Sequence, residues 1–166
     1  MFKVFFASDH GGYELKNKLV SYVKELGYEA IDKGADTFDA NDDYPEIIAG
    51  AAREVSVNEG SMGIILGGSG QGEAIVANRF KGVRAAVFYN LALPKSAVDI
   101  SGRMSEDPYE IVKLARLHNN ANIISLSSRF LSEEEAKQAV KIFLETKFSE
   151  DERHTRRINK IDNLNI

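Results

Sequence analysis

MGIILGGSGQGEAIVANRF, residues 62–80, passes from an unbroken apolar run through a glycine loop into a short helical pattern. An apolar run such as Met62 to Leu66 suits a strand buried on both faces of a parallel sheet, and Ile75 to Phe80 reads as the helix that follows. Between them stand Gly67, Gly68, Gly70 and Gly72, more glycines than one turn requires. A dinucleotide fingerprint fails, because its third glycine would fall on Glu73 counting from Gly68, or on Ile75 counting from Gly70. A Walker loop fails for want of a lysine. What remains is a loop of bare backbone N–H groups, aimed by a helix N-terminus at a phosphate or at the developing oxyanion of an enediolate. The blander alternative is a tight turn, with Glu73 compensating the helix dipole.

Outward from this loop the alternation repeats. Phe2 to Ala7 is a continuous apolar run closed by Ser8-Asp9-His10-Gly11-Gly12; Leu15, Leu19, Tyr22, Val23 and Leu26 then recur at helical spacing before a C-capping Gly27. Glu29 to Asp32 reads as a short strand, and Pro45 opens a helix carrying Ile47, Ile48, Ala51, Ala52 and Val55. Beyond the loop, Val83 to Tyr89 and Asn122 to Leu126 read as strands and Tyr109 to Leu117 as a helix. Ser132-Glu133-Glu134-Glu135 supplies a capping box for a last helix through Phe143 and Leu144. Strands alternating with helices in this way predict an α/β fold, a doubly wound, Rossmann-like three-layer sandwich around a five-stranded parallel sheet. Ligands in such sheets collect outside the carboxyl ends of the strands, where Asp9-His10, the glycine loop and Ser127-Ser128-Arg129 all fall.

The 166 residues make one compact α/β domain over 1–148, followed at 149–166 by a polar tail of helix-compatible spacing. The net charge of -4, with both signs mixed along the chain, argues against nucleic acid and anionic membrane as partners. The lack of cysteine excludes disulfides and thiolate nucleophiles and fits a reducing cytosol. MFKVFFASDHGG is neither a signal peptide nor a membrane span, so a soluble, cytoplasmic protein is expected. Asn90 to Asp107 has no clear period and is long for a connection; it reads as an active-site lid or interface loop.

Taken singly, the other polar residues are ambiguous. Asp9-His10 fits a helix cap with a surface histidine as well as a catalytic pair. His118, with Asn119 and Asn120, stands at a helix end, where histidine often complements the dipole. Arg153 and Arg157 are four apart and share a helical face, either solvated or forming a two-pronged phosphate clamp. His10, His118 and His154 are widely separated and show no metal-ligand spacing, so no metal is expected. A triad of Ser69, His118 and Asp9 has the right residue types without the nucleophile-elbow pattern.

Together these pieces resemble the ribose-5-phosphate isomerase B family, which includes galactose-6-phosphate isomerase subunits. The resemblance runs through SDHGGYELK at 8–16, DYP at 43–45, GGSGQGEAIVANR at 67–79, GVRAA at 82–86, LARLHNNAN at 114–122 and RHTRRI at 153–158. It implies aldose-ketose isomerisation of a sugar phosphate through an enediol, most simply ribose 5-phosphate to ribulose 5-phosphate, without metal or organic cofactor. It also implies a homodimer with shared active sites, the tail packing on the partner subunit, and leaves open whether dimers pair into tetramers. A four- or six-carbon sugar phosphate, or a non-catalytic sensor of sugar phosphates, is the alternative.

In one branch of the family the base is a cysteine at the position of Gly67; in the other it is a glutamate after the glycine loop, which Glu73 matches. By the same resemblance, Ser69 and the N–H groups of Gly70 and Gly72, in the loop opened by Gly68, hold the intermediate's oxygens. Asp9 and His118 open the sugar ring, Tyr44 and Asn119 line the sugar site, and His10, Arg129, Arg153 and Arg157 hold the phosphate. A helix N-terminus lowers a carboxylate's pKa whereas a base wants it raised, so desolvation by bound substrate is expected to compensate at Glu73. This chain departs from the pattern in two places. Ser127 stands where a glycine is usual, which bears on the aim of Arg129, and Asn90 to Asp107 is longer than the usual connection.

Overall fold

Along the first strand, Val4 and Phe6 point to one side and Phe5 and Ala7 to the other, and all four are buried. Such a strand needs a layer of helices on each face. The computed structural model, which describes residues 2–164, supplies both. Its elements run β1 (Lys3–Ser8), α1 (Tyr13–Glu25), β2 (Glu29–Asp32), α2 (Tyr44–Val57), β3 (Met62–Gly67), α3 (Gln71–Ala77), β4 (Ala85–Phe88), α4 (Glu110–Asn119), β5 (Ile123–Ser127), α5 (Glu133–Glu145) and α6 (Glu152–Asp162). The five strands form one parallel sheet in the order β2-β1-β3-β5-β4. Leu19 and Val23 of α1, Val112 of α4 and Val140 and Phe143 of α5 cover one face with Val4, Phe6, Ile64, Leu66, Ile124 and Leu126. Ile48, Ala51, Ala52 and Val55 of α2 and Ala77 of α3 cover the other with Phe5, Ala7, Ile65 and Ile123. Each large apolar side chain fully buried in these layers is worth roughly 1.5–3 kcal/mol relative to exposure. The doubly wound three-layer sandwich predicted from the alternation is the observed fold.

Local signals explain most boundaries. α1 ends in a Schellman closure, with the Tyr28 N–H on the Val23 carbonyl at 3.2 Å and the Gly27 N–H on that of Lys24 at 2.9 Å. The capping box of α5 forms as predicted, Ser132 and Glu135 each taking up the other's backbone N–H. Most boundaries fall within two residues of the expectation, and the largest shift is at the start of α3. α3 begins at Gln71, four residues before the expected Ile75, because Gly70 turns the chain at a left-handed φ of 75° and starts the helix at once. Glu73 therefore lies within the first turn. The polar tail forms a sixth helix, and Asn90 to Asp107 carries no regular element among the described residues.

Two features of the strand order position the site. The chain leaves β1 toward β2 and returns to place β3 on the other side of β1, so the loops after β1 and β3 meet at a switch point. The crossover from β3 to β4 skips one strand position, which β5 fills, so the end of β5 lies beside the end of β3, with Gly67 opposite Ser127.

Candidate active site

At the switch point the glycines of the loop make room for specific neighbours. A Cβ on Gly67 would fall inside the Glu73 carboxyl group, one on Gly68 would lie 3.0 Å from the Arg129 guanidinium carbon, and one on Gly72 would lie 2.8 Å from the Tyr44 ring. Glu73 is buried, Tyr44 and Arg129 are exposed, and Ser69 is half-buried with its Oγ 3.4 Å from the Gln71 N–H. Gly70, Gln71 and Gly72 open α3, where backbone N–H groups have no intrahelical acceptor. Asp9 is buried at the end of β1 and accepts the Gly11 N–H at 3.0 Å. One chain thus gathers Asp9, His10, Tyr44, Gly68, Ser69, Gly70, Gly72, Glu73 and Arg129 at one end of the sheet.

Burial pushes the Glu73 carboxyl above its ordinary pKa; the hydrogen bond from its own backbone N–H opposes the rise, and the charge of Asp9 adds to it. This corrects the expectation that bound substrate must supply the desolvation: the folded chain already does so. His10 is half-exposed. Its Nδ1 lies 2.6 Å from Asp42 Oδ1, and its backbone N–H donates to both Asp42 oxygens at 3.1 and 3.0 Å. That hydrogen bond with Asp42 raises the His10 pKa, so the ring carries its positive charge to higher pH. The sequence reading missed Asp42, although the acidic run DANDD just before Tyr44 was a signal. It also missed Lys16, fully buried, whose Nζ holds Asp32 Oδ2 at 2.6 Å and the Ala35 carbonyl at 2.8 Å, anchoring the start of the loop that bears Asp42.

His118, Arg153 and Arg157 are elsewhere. α4 runs antiparallel to the strands it connects, so His118 near its C-terminus lies at the amino end of the sheet, opposite Glu73. There its ring packs 4.2 Å from that of His154, a buried residue of α6. His154 Nε2 accepts from Arg153 Nη2 at 3.0 Å, and its Nδ1 lies 3.2 Å from Ser149 Oγ. Burial, then the charge of His154 and Arg153, lowers the His118 pKa. Arg153 joins His118 in a cleft of about 590 Å³ that the 90–107 loop also borders. Arg157, four residues on, is exposed, and among the described residues neither arginine is ion-paired. Asn119, also exposed, lends its carbonyl to Arg84 Nε at 3.1 Å. The 90–107 loop is held at its base by Arg103, whose guanidinium reaches Asp99 at 3.0 Å and buried Glu110 at 2.7 Å.

One group bears on metal binding. Asp9, His10 and Asp42 bring ligand-type atoms within 4.8 Å of one another, a juxtaposition that histidine spacing alone does not reveal. The His10 ring nitrogen nearest the carboxylates is already engaged by Asp42. Among the described residues no helix is long and apolar enough to cross a membrane.

The sequence matches the Ribose/Galactose Isomerase family over residues 4–102 and 104–161. It is 38% identical over 157 residues to ribose-5-phosphate isomerase B of Mycobacterium tuberculosis, covering 95% of this chain and 86% of that one. The fold is similar to that of ribose-5-phosphate isomerase B from Mycoplasma genitalium, solved with bound ribulose-5-phosphate; the TM-score is 0.83, with 36% identity over 97% of this chain and 94% of that one. The Thermotoga maritima ribose 5-phosphate isomerase gives a TM-score of 0.80 with 37% identity, covering 97% of each chain. With a match that extends through both ends of the sheet and into the C-terminal helix, the chain belongs to the ribose/galactose isomerase family.

Proposed function

We propose that the protein isomerises ribose 5-phosphate and ribulose 5-phosphate through an enediolate, with Glu73 as the base. The observation that carries this reading is a buried, ionisable carboxylate of raised pKa, set beside a glycine loop that presents backbone donors, at the switch point of the sheet. A base working near neutrality is served by a pKa moved toward the working pH. Glu73 would take the proton from C2 and return it to C1, while Ser69 and the N–H groups of Gly70 and Gly72 hold the negative oxygen. The solved relative with bound ribulose-5-phosphate supports the substrate class.

In this reading the active site is shared between two copies. Asp9 lies beside Glu73, whereas His118, its proposed partner in ring opening, lies at the far end of the same sheet. A homodimer that sets one copy's amino end of the sheet against the other's carboxyl end would bring His118 of the partner subunit to Asp9, and Arg153 and Arg157 of the partner subunit to His10 and Arg129 around the phosphate. The α6 helix would then face two ways, packing His154 and Ile158 inward and offering Arg157 outward. In this reading the 1–148 body and the 149–166 tail act together on a small phosphorylated sugar, and the work is done in the cytoplasm.

The test is a coupled assay across tetrose, pentose and hexose phosphates, run alongside exchange of the C2 proton with solvent. Ribose 5-phosphate should turn over fastest, with exchange abolished in Glu73→Gln. Preference for a six-carbon substrate would move the assignment within the family, and binding without turnover or exchange would favour a sensor.

A further inference from the structure

Ser125 and Ser127 of β5 spend their hydroxyls on the glycine loop, and Ser128, just after the strand, ties that loop to the one after β1. Ser125 Oγ donates to the Gly70 carbonyl at 2.6 Å and Ser127 Oγ to that of Gly68 at 2.7 Å; the single proton of Ser128 Oγ lies between the nearer Gly11 carbonyl and the Gly67 carbonyl at 2.9 Å. The Ser128 N–H also donates to the Gly67 carbonyl, at 2.9 Å. Ser125 and Ser127 are fully buried.

A trans peptide is planar, with its C=O and the next residue's N–H pointing opposite ways. Holding the carbonyls of Gly67, Gly68 and Gly70 toward β5 therefore aims the N–H groups of Gly68, Ser69 and Gln71 away from it. A stretch with this many glycines has little orientation of its own, since glycine adopts positive and negative φ with equal ease. The Gly70 N–H, one of the two assigned to the oxyanion, belongs to the peptide between the held Gly68 and Gly70 carbonyls, so its direction follows from the ties on either side, and oxyanion stabilisation depends on donors fixed before the charge develops. We propose that Ser125, Ser127 and Ser128 are positioning residues that set the direction of the loop's amides, Ser127 through its tie on Gly68. The same tie bears on Arg129, whose guanidinium lies against Gly68 and whose N–H donates to the Gly68 carbonyl at 3.3 Å.

This inference rests on the isomerase reading for its catalytic consequence, and the experiment separates the two. Ser127→Ala, Ser128→Ala and Ser127→Thr are compared with the unaltered protein in three measurements. The first is kcat and KM for ribose 5-phosphate. The second is affinity for a hydroxamate sugar phosphate, which mimics the enediolate, against a reduced alditol phosphate, which lacks the planar oxygen. The third is exchange broadening of the Gly68 and Ser69 amides by ¹⁵N relaxation dispersion. The alanine variants should lose about tenfold in kcat, less than the roughly hundredfold or more for an oxyanion donor removed outright, with KM little changed. Hydroxamate affinity should fall in parallel with kcat while alditol affinity holds, and the loop amides should broaden. Threonine keeps the hydroxyl and should restore all three.

Unchanged kcat with unbroadened amides, equal loss of both ligands, or no rescue by threonine overturns the proposal; should Ser127→Ala fail to fold, the half-buried Ser128→Ala carries the same tests. An unaltered protein that binds but does not isomerise sinks the isomerase reading alone, and the amide measurement still decides the clamp.

Discussion

The Glu73 carboxylate occupies the volume that a side chain at position 67 would need, so the glycine that closes β3 and the proposed base of α3 share one space. Gly67→Ala should displace the carboxylate and lower kcat by at least about a hundredfold, the lower range for a positioned base, without unfolding the sheet. Circular dichroism and steady-state rates check this. A folded Gly67→Ala protein with full activity would mean that Glu73 does not act from its position here.

Glu73→Gln should lower turnover by about two to four orders of magnitude, yet make the protein more stable at neutral pH. The sign follows from the raised pKa. The folded state holds the Glu73 proton more tightly than the unfolded chain, so folding is penalised once pH exceeds the unfolded value, and the penalty is complete above the folded one. Glutamine removes it. Thermal melts of both proteins from pH 4 to 8 should diverge as pH rises; parallel curves would contradict the burial argument.

Asp42→Asn should weaken substrate binding in a pH-dependent way. The raised pKa of His10 keeps the ring positive as pH climbs, and the charge is lost only when pH passes the raised value. Without Asp42 the ring loses its charge nearer its ordinary value of about 6.5. KM should therefore rise about tenfold at pH 7.5 if His10 holds phosphate, the scale of one charge-assisted hydrogen bond, and converge with that of the unaltered protein near pH 5.5.

Mixing Arg157→Ala with Glu73→Gln protein tests the shared site. Arg157 lies on α6, which packs on α4 at the end of the sheet remote from Glu73. Losing it should cost roughly tenfold to a hundredfold in catalytic efficiency. A heterodimer of the two variants would hold one site with both groups intact, so activity should rise on subunit exchange. Exchange verified by mass spectrometry, with only the sum of the residual activities, would place Arg157 outside the partner's site.

Chelation should leave the rate unchanged, because the oxyanion role is assigned to backbone donors. Loss of activity in EDTA, restored by one divalent ion, would redirect attention to Asp9, His10 and Asp42.

Much of this was legible in the sequence. The apolar runs of β1 and β3 and the helical spacing of α1 gave the layered alternation, and the failed nucleotide motifs narrowed the glycine loop to anion chemistry. The strand order was not legible, because nothing local in IISLS states that it slots between β3 and β4. Lys16 passed unnoticed because a lysine inside a helical pattern ordinarily faces water, whereas here an aspartate and a carbonyl from the β2 end offset its burial. The separation of His118 from Glu73 was implicit, since a helix between parallel strands must run back across the sheet. Transfer of roles by motif assigned both to a site shared between two copies without saying which copy supplies each.

The skipped strand position also bears on how the sheet can be assembled during synthesis. β4 is made before β5, yet among the described residues β5 is its one strand partner. A chain emerging from the ribosome as far as Ala121 would hold β3 with one side open and β4 with no strand beside it, bare edges of the kind that recruit other chains. The five residues Ile123–Ser127 close the open side of β3 and one side of β4. Truncations that spare β5 but remove α6 should keep a five-stranded sheet, whereas a cut before Ile123 should yield an aggregating fragment instead of a smaller native-like domain.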